Sequence, residues 1–347
     1  MKVLITGGTG LIGSSVVREA LAAGYEVRVL KRPDSDLRNL DGLDLELVDG
    51  DLLDRNSLDQ ALKGCQKLYQ IAAIYRHWHP KGGAFIRRTN IEGTRNILEC
   101  ALKHDLEKVI YTSSISSVGF YPDRLSTEED FPAEKDCRRQ PYRDSKFRSE
   151  KIAFEYADKM PIIIVNPASP IGVRDNVPTP TGRTILDFLN GKMVAYVDVG
   201  MNLIDVEDLA QGYIQADKKG KNGERYILGN HNTFLKDFFE QIADMTGLKA
   251  PSTKIPKPVV RVMAEISEVV ANITKIPPVA AVEQALHTCY NEFADCSKAV
   301  NELGLPQNDI RIAIYKAVKY YLELGSVSPK RERMIQLQEP VSAEPEG

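Results

Sequence analysis

The chain has 347 residues, of which 43% are hydrophobic and 27% are charged, and its formal net charge is -3 at pH 7. This length can bury one large core or two joined ones, while the small negative charge argues against a general nucleic-acid-binding surface. The five cysteines have no C-x-x-C spacing, which argues against a zinc ribbon or a disulfide framework, and no apolar run reaches the roughly 20 residues that span a bilayer.

The first predicted elements are a strand, a glycine-rich turn and a helix. The apolar run Lys2–Thr6 leads into the turn 7–13, after which apolar periodicity resumes up to Leu21. The glycines fit both G-x-G-x-x-G, starting at Gly8, and G-x-x-G-x-x-G, starting at Gly7, so the spacing leaves the subfamily of dinucleotide fold open. Glycines allow the backbone to bend sharply and to approach a pyrophosphate, which then faces the N-terminus of the helix. The stretch therefore predicts a dinucleotide-binding turn.

The early start of this strand also bears on location. It follows Met1 directly and leaves no room for a signal peptide. We therefore expect a soluble protein, and the scattered cysteines are consistent with a reducing cytoplasm.

The second predicted strand, Tyr25–Leu30, ends in two cations, Lys31 and Arg32. In dinucleotide folds, an acid at the tip of this strand binds the ribose 2′-hydroxyl of NAD, whereas cations accommodate the 2′-phosphate of NADP. The two cations therefore favour NADP(H) over NAD(H). A solvated basic strand end remains the alternative interpretation.

Two further strand ends are predicted to contact the cofactor. The strand Leu45–Val48 leads to Asp51, whose carboxylate could accept a hydrogen bond from the adenine amino group. The strand Lys67–Ile71 ends in Ala72 and Ala73, whose small side chains would let a flat cofactor lie against the strand end.

The loop that follows, 74–80, carries two histidines, His77 and His79. No third metal ligand is in register with them, so no metal site is predicted. We interpret the loop as a substrate-facing lid, with an ordinary surface loop as the alternative.

The next candidate residues are Asn90, inside the predicted helix Ala84–Lys103, and Ser114, at the end of the strand Lys108–Thr112. A hydroxyl at the carboxyl end of a central strand is well placed for chemistry. Serine also commonly caps loops, so the position alone does not decide its role.

A tyrosine and a lysine four residues apart, Tyr142 and Lys146, open a helix predicted to run to about Lys159, after the polar loop 122–141. Residues at this spacing share one helix face. A free tyrosine has a pKa of about 10, so it is a poor acid–base group at neutral pH unless a cation favours its phenolate. Lys146, one turn along, could supply that field.

The second half of the chain is less regular. After the strand Ile162–Val165 the alternation of strands and helices weakens, which predicts a smaller, discontinuous lobe, while the helix Val206–Asp217 is expected to return to the first domain. Apolar residues recur at helical spacing in Pro258–Ala271 and Val279–Cys289. We interpret these stretches as core, or as the wall of an apolar substrate pocket, rather than as lipid contacts.

These patterns predict an α/β fold: a doubly wound parallel Rossmann sheet with a smaller, discontinuous mixed α/β substrate lobe. We assign residues 1–170, joined by elements near 195–230, to the dinucleotide-binding domain, and residues 171–194 and 231–325 to the substrate lobe. The charged and proline-containing segment 326–347 is predicted to be disordered.

Together, these motifs resemble the extended short-chain dehydrogenase/reductase superfamily of the NAD-dependent epimerase/dehydratase type, over nearly the whole chain. A narrower resemblance points to the hopanoid-associated sugar epimerases, and through them to dihydroflavonol 4-reductases and 3β-hydroxysteroid dehydrogenases. It is carried by the segments Asn166–Gly172, Pro178–Arg183, Asp187–Gly191 and Ala195–Asp198.

The resemblance implies specific roles for residues of this chain. Its catalytic triad would be Ser114, Tyr142 and Lys146, supported by Asn90. A homodimer would form through the helices that begin near Ala84 and Tyr142. From the residues and the resemblance together, the expected cofactor contacts are Gly7, Gly10, Leu11, Ile12, Gly13, Lys31, Arg32, Asp51, Leu52, Ala72, Ala73, Tyr142, Lys146, Pro167 and Ser169.

Arginines distinguish two activities within the superfamily. Members that act on nucleotide sugars usually carry an arginine at the start of an R-D-x-I-H-V-x-D motif, and Met201 stands at that position here. A second arginine usually precedes the segment matching Asp295–Lys298, yet none occurs between Arg261 and Arg311. Burying a diphosphate without such cations is costly. We therefore expect an NADP(H)-dependent reductase of an apolar or aromatic ketone or aldehyde, with a nucleotide-sugar epimerase or dehydratase using tightly bound NAD(P) as the alternative.

Overall fold

A parallel seven-stranded sheet forms the centre of the computed structural model, which describes residues 1–278 and 281–340. The strands are, in chain order, β1 Lys2–Thr6, β2 Glu26–Lys31, β3 Glu46–Asp49, β4 Lys67–Gln70, β5 Lys108–Thr112, β6 Ile162–Pro167, β7 Ser169–Ile171, β8 Ala195–Tyr196, β9 Gly200–Asp205, β10 Arg225–Leu228, β11 His231–Phe234 and β12 Thr253–Lys254. The main sheet has the order β10-β6-β5-β4-β1-β2-β3. Because sheet growth changes direction between β1 and β4, a crevice opens at the carboxyl ends of these two strands, where open α/β sheets bind their ligands.

Helices cover both faces of this sheet. They are α1 Leu11–Ala22, α2 Arg55–Leu62, α3 Gly83–Lys103, α4 Glu134–Cys137, α5 Pro141–Ala157, α6 Pro180–Leu189, α7 Val206–Lys219, α8 Leu235–Thr246, α9 Lys257–Thr274, α10 Val282–His287, α11 Ile310–Glu323 and α12 Pro329–Glu332. The buried apolar residues of α1 and α7 join one core cluster, and those of α2, α3 and α5 join a second on the opposite face. The predicted doubly wound Rossmann sheet is therefore confirmed.

Helix α7 is held against the sheet by a buried polar contact. Lys67 on β4 donates to the carboxylate of Asp217 on α7 at 2.7 Å, and the Tyr25 hydroxyl donates to the same oxygen at 2.6 Å. Asp217 is only 1% exposed, so its charge depends on these partners.

A third apolar cluster lies outside the main sheet. It joins residues of α6, α8 and α11, among them the stacked rings of Phe188 and Phe239. Beside it, β7, β9 and β11 form a small sheet in which β7 runs parallel and β11 antiparallel to β9, while β8 pairs with β12. The helices of the third cluster come from two separate stretches of the chain: α6 precedes β9, whereas α8 and α11 follow β10.

The end of the chain differs from the prediction of disorder after Gly325. Residues 326–340 have defined positions: Val327 is buried, the Gln336 and Gln338 amides donate to backbone carbonyls at the end of α8, and Arg331 donates to the Leu189 carbonyl of α6 at 3.0 Å. The charged composition of the segment predicts disorder, but its backbone amides form hydrogen bonds with α8, a helix of the third apolar cluster. The remaining part of that prediction, residues 341–347, lies outside the described residues.

The apolar stretch at Pro258–Ala271 also differs from its interpretation as core. It forms α9, but most of its large aliphatic side chains are exposed and only Ala264 and Ala271 are fully buried. Of the predicted helix Val279–Cys289, the structure shows the shorter α10, and residues 279–280 lie outside the described part. Among the described helices, none is long and apolar enough to cross a membrane.

Candidate active site

The glycine turn lies at the crevice between β1 and β4. Gly7 has φ of +70°, and a Cβ there would stand 2.8 Å from the Ala72 nitrogen. A Cβ on Gly13 would stand 2.0 Å from the Gly7 carbonyl oxygen, whereas one on Gly10 would meet nothing closer than 3.6 Å. The turn therefore requires glycine at Gly7 and Gly13, because β4 on one side and the turn itself on the other leave no room for a side chain.

The N-terminus of α1 follows this turn. Gly10 is its N-cap and supplies no side-chain hydrogen bond, so the first amides of α1, from Leu11 and Ile12, are free of a capping side chain. Helix N-terminal amides of this kind bind phosphate groups. The residues present therefore fit the pyrophosphate of a dinucleotide.

The two cations at the end of β2 have different surroundings. The Lys31 ammonium forms an ion pair with Asp49, its neighbour in register on β3, and the side chain is only 16% exposed. Arg32 is 68% exposed, and its nearest acid, Asp34, is 3.8 Å from Nε. Arg32 is thus the cation with freedom to meet a ribose phosphate, while the charge of Lys31 is already partly compensated.

The other expected cofactor residues lie around the same crevice. Asp51 accepts the Leu53 amide at 2.8 Å through its side chain, and Leu52 is buried against Gly93 of α3. The Ala72 amide donates to the Thr6 hydroxyl at 3.0 Å, which ties the ends of β1 and β4 together.

The residues expected beyond β6 begin at the same end of the sheet. Pro167 is the last residue of β6 and Ser169 the first of β7, and the Ala168 amide between them donates to the Leu228 carbonyl of β10 at 2.9 Å. The neighbouring Asn166 donates to the Ser114 carbonyl at 3.0 Å, so the backbone here is anchored to the end of β5.

The three predicted catalytic side chains come together at the end of β5 and the start of α5. Ser114, Tyr142 and Lys146 are 8%, 5% and 4% exposed. The Ser114 hydroxyl accepts the Ser116 amide at 3.1 Å, so it caps a short 3₁₀ turn, and it lies close enough to Tyr142 to affect the pKa of that phenol. The Lys146 ammonium donates to the Thr112 carbonyl at 2.9 Å.

The protonation of this group differs from the expectation that Lys146 lowers the pKa of the phenol. Burial raises the pKa of Tyr142, and the nearby Ser114 hydroxyl only partly opposes that rise. Burial also lowers the pKa of Lys146 to about 8. In both groups the main cause is burial, which disfavours the charged form; for Tyr142, the negative charges of Glu283 and Glu292 add to the rise. Tyr142 is consequently a neutral phenol at physiological pH and can donate a proton.

Asn90 lies beside the group and acts on the backbone. Its amide oxygen accepts the Ile74 amide at 2.8 Å, while its nitrogen donates to the Ile74 carbonyl at 3.1 Å and to the Ser145 hydroxyl at 2.9 Å. Asn90 therefore joins the start of the 74–80 loop to α5, directly next to Lys146.

A cluster of histidines and glutamates lies over the start of α5 and was not predicted. Glu283 on α10 accepts the backbone amides of Tyr142 at 3.1 Å and Arg143 at 2.9 Å. His77 Nδ1 and His287 Nε2 lie 3.8 and 3.9 Å from the same carboxylate oxygen, and neither nitrogen has a hydrogen-bond partner among the described residues.

The charges in this cluster are coupled. Although burial opposes it, His287 and His77 lower the pKa of Glu283 to about 2. Likewise, burial opposes but Glu292 and Glu283 together raise the pKa of His287 to about 9, with Glu292 2.8 Å from Nδ1. Glu283 and His287 are therefore oppositely charged at neutral pH and form an ion pair.

The cluster also bears on metal binding. His77, Glu283 and His287 place their potential ligand atoms within 4.8 Å of one another, so this group could hold a metal ion. His79, which the sequence places next to His77, instead packs on the Phe85 ring. One local pattern in the sequence could have indicated part of this cluster: Glu283 and His287 are four residues apart, which puts both on one face of α10.

Aromatic rings pack on Tyr142, and an open cleft lies beside α5, although Ser114, Tyr142 and Lys146 do not line it. The Tyr75 ring lies 4.9 Å from that of Tyr142, and the His77 ring lies 5.9 Å from it. A cleft of about 550 Å³ opens beside α5, lined by apolar and aromatic residues such as Phe120 and Tyr290 and by the cations Lys135, Arg139, Arg143 and Arg261.

Comparisons with known proteins identify the family of this chain. The profile of the NAD dependent epimerase/dehydratase family matches residues 3–229. The "Putative dihydroflavonol 4-reductase" of Synechocystis sp. is 40% identical over 328 residues, which are 93% of this chain and 95% of that protein. The "Sterol demethylase protein B" of Methylococcus capsulatus is 30% identical over 331 residues, covering 94% of this chain and 100% of that protein.

A solved structure extends the similarity to three dimensions. The crystal structure of the protein gox2253 has a TM-score of 0.84 and 37% sequence identity to this chain, and the match covers 94% of this chain and 99% of that one. The similarity thus includes both the sheet and the elements that follow it.

Proposed function

The chain belongs to the NAD-dependent epimerase/dehydratase family, and on that premise we propose that it is an NADP(H)-dependent reductase of a ketone or aldehyde on an apolar or aromatic small molecule. The relative named as a putative dihydroflavonol 4-reductase supports a reductase. The observation that carries the proposal is that the buried side chains of Ser114 and Tyr142 lie near each other at the end of β5, where burial raises the pKa of the Tyr142 phenol and keeps it protonated.

Each residue of the group has a chemical role in this reaction. A bound nicotinamide cofactor supplies the hydride. Ser114 holds the carbonyl oxygen of the substrate through its hydroxyl, and Tyr142 donates its phenolic proton to that oxygen as it gains negative charge. Lys146, one turn along α5, stabilises the resulting phenolate electrostatically. Asn90 is a positioning residue, because it joins the loop 74–80 to α5.

The chain's own groups also support the choice of NADP(H). The α1 N-terminus and the turn would hold the pyrophosphate, and Arg32 would meet the 2′-phosphate. The adenine and nicotinamide ends of the cofactor would be lined by Asp51, Leu52, Ala72 and Ala73. Further contacts would come from Pro167 and Ser169, at the end of β6 and the start of β7. Arg32 contributes more than Lys31 in this proposal, because Lys31 is paired with Asp49.

The alternative, a nucleotide-sugar epimerase or dehydratase, has one observation in its favour. The cleft beside α5 carries four cations, which could bind a diphosphate. Against it, Met201 occupies the position of the usual arginine, and three of the four cations are already engaged: Arg139 and Arg261 with Glu265, and Arg143 with Tyr290 and the Val118 carbonyl.

The proposal extends to assembly. We expect a homodimer through α3 and α5, as the family resemblance implies. Sedimentation velocity on the purified chain tests this, and a purely monomeric protein at assay concentration contradicts it.

The decisive experiment measures cofactor consumption. The protein is incubated with NADPH and a panel of apolar and aromatic ketones and aldehydes, and separately with nucleotide sugars. Stoichiometric NADPH oxidation with a carbonyl compound supports the reductase. Interconversion of sugars without net loss of cofactor supports the epimerase and contradicts our proposal.

A further inference from the structure

Two histidines and a glutamate converge beside the start of α5. The potential ligand atoms of His77, Glu283 and His287 all lie within 4.8 Å of one another. Nδ1 of His77 and Nε2 of His287 face the same Glu283 oxygen, Oε1, at 3.8 and 3.9 Å. His77 belongs to the loop 74–80 and the other two residues belong to α10, so the group joins two distant parts of the chain.

The two facing nitrogens are buried without a hydrogen bond. Within the part of the chain that the structure describes, neither His77 Nδ1 nor His287 Nε2 has a hydrogen-bond partner, and their distances to Glu283 are too long for one. The two histidine side chains are only 11% and 18% exposed. Buried polar atoms normally have a partner, so two such nitrogens facing one carboxylate oxygen point to a ligand that binds between them.

The surroundings prepare the residues of α10 for coordination. The second ring nitrogen of His287, Nδ1, lies 2.8 Å from Glu292. A proton donated from Nδ1 to that carboxylate leaves the lone pair on Nε2, the arrangement of carboxylate–histidine–zinc triads. Oε1 of Glu283 accepts the Arg143 amide at 2.9 Å, and a carboxylate oxygen has room for a second contact. An ion can therefore bind without loss of the contacts that hold the start of α5.

Charge and donor type indicate which ion fits. The buried carboxylates of Glu283 and Glu292, at 1% and 13% side-chain exposure, carry two negative charges, which Arg143 offsets in part. With both histidines neutral, a divalent cation would supply the remaining positive charge. Two imidazoles and one carboxylate, with water in the fourth position, form an open zinc site, whereas Mg²⁺ and Ca²⁺ bind mostly oxygen ligands.

We propose that His77, Glu283 and His287 bind one zinc ion, which fastens the loop 74–80 to α10 over the start of α5. Bonds of about 2.0–2.2 Å at tetrahedral angles put ligand atoms about 3.4 Å apart, so each histidine moves about half an ångström closer to Glu283. The ion replaces the proton that His287 carries in the metal-free protein, and this proton is released to solvent.

The site would fix a loop that covers the proposed proton donor. Asn90 already holds the start of the loop at Ile74, and the Tyr75 ring lies 4.9 Å from the Tyr142 ring. The ion would add an anchor at His77, in the middle of the loop. Trp78, the only tryptophan of the chain, directly follows His77, so its fluorescence reports on this loop alone. The metal site itself does not depend on the proposed function.

The test is zinc binding by the full chain after removal of metals with a chelator. We expect calorimetry at micromolar protein to show one ion per chain, and the emission of Trp78 to change until one equivalent has been added. His77→Gln and His287→Gln, on separate elements, should each bind zinc at least about tenfold more weakly, because each removes one ligand. The controls are His79→Gln, the neighbouring histidine of the loop, and Cys289→Ser, an exposed thiol; both should bind like the parent.

Cobalt(II) provides an independent measurement. Four-coordinate cobalt(II) absorbs visible light more strongly than the octahedral ion, so the parent should show this absorption and both histidine variants should lack it. Circular dichroism of each variant establishes that it is folded.

Four outcomes would overturn the proposal. They are absence of stoichiometric zinc binding, a histidine variant that binds like the parent, binding that Cys289→Ser abolishes, and binding that leaves the emission of Trp78 unchanged. Carbonyl reduction is measured separately with and without zinc, so that failure of the proposed activity is not confused with failure of metal binding.

Discussion

The carboxylate of Glu283 accepts the backbone amide of Tyr142, 141 positions earlier in the chain, at 3.1 Å. This contact places a negative charge at the N-terminus of α5, where the helix dipole favours it. It also fixes the start of the helix that carries both Tyr142 and Lys146. The position of the proposed proton donor therefore depends on α10 as well as on its own helix.

Removing the charge of Glu283 should destabilise the protein. Glu283→Gln keeps the shape of the side chain but loses the charge that faces two amides and His287, and we expect the free energy of unfolding to fall by about 2 kcal/mol. Denaturant unfolding followed by circular dichroism measures this. Glu134→Gln, which removes an exposed carboxylate, is the control, and equal midpoints for both variants would contradict the expectation.

The His287–Glu283 pair should make stability depend on pH. Despite its burial, His287 has a pKa of about 9 in the folded protein because Glu292 and Glu283 face it, against about 6.5 when unfolded. A raised pKa means that the stabilisation is complete below about pH 6.5 and is lost as the pH rises through about 9, with a size on the order of 3 kcal/mol. Unfolding midpoints across this range measure the loss. His287→Gln should flatten the dependence, whereas His104→Gln should not; a parent whose stability is constant from neutral to alkaline pH would sink the prediction.

Replacing the phenol should stop the proposed reaction. Tyr142→Phe removes the proton donor while keeping the ring that packs against Tyr75, so we expect turnover to fall by about 10²–10⁴-fold with NADPH binding nearly unchanged. Steady-state kinetics and fluorescence titration separate the two effects. Tyr320→Phe, on α11, serves as control. Substantial turnover by the Tyr142 variant would mean that the acid lies elsewhere.

Cofactor selection should depend more on Arg32 than on Lys31. We expect NADPH to bind more tightly than NADH, and Arg32→Ala to weaken NADPH binding about tenfold while leaving NADH nearly unaffected. Lys31→Ala should have a smaller effect because Asp49 already shares its charge. Titration calorimetry gives all the affinities. Equal affinities of the parent for the two cofactors would refute the argument from the end of β2.

The turn should tolerate a methyl group at only some of its glycines. Gly13→Ala would push a Cβ to 2.0 Å from the Gly7 carbonyl oxygen, so we expect cofactor binding to be lost together with part of the stability. Gly10→Ala, whose Cβ meets nothing closer than 3.6 Å within the chain, is the matched control for stability and should unfold like the parent in the absence of NADPH. Thermal unfolding with and without NADPH measures both effects, and similar behaviour of the two variants would contradict the assignment.

Local patterns predicted the centre of this protein well. The turn, the ends of β1 and β4, and the Tyr142–Lys146 spacing could be recognised because each depends on neighbouring residues in the chain. The pairing of Lys31 with Asp49 could not, because it depends on the register of β2 and β3. The contact of Glu283 with Tyr142 was missed for a similar reason: no local pattern relates residues so far apart.

The apolar stripe of α9 shows a different limit. Its spacing predicts an amphipathic helix, but periodicity does not say which side faces the core. Ala264 and Ala271 lie inward because small side chains let the helix pack closely, so the large aliphatic residues face outward.

The last residues of the chain complete the cluster formed by α6, α8 and α11. Arg331 bonds to the end of α6, and the amides of Gln336 and Gln338 bond to the end of α8. During synthesis on the ribosome, β1 to β6 emerge long before these residues, whereas this cluster lacks its closing contacts until about position 338 has left the exit tunnel. The dinucleotide sheet thus has time to begin folding first, and the region that follows it is completed only after residues 331–338 have been synthesised.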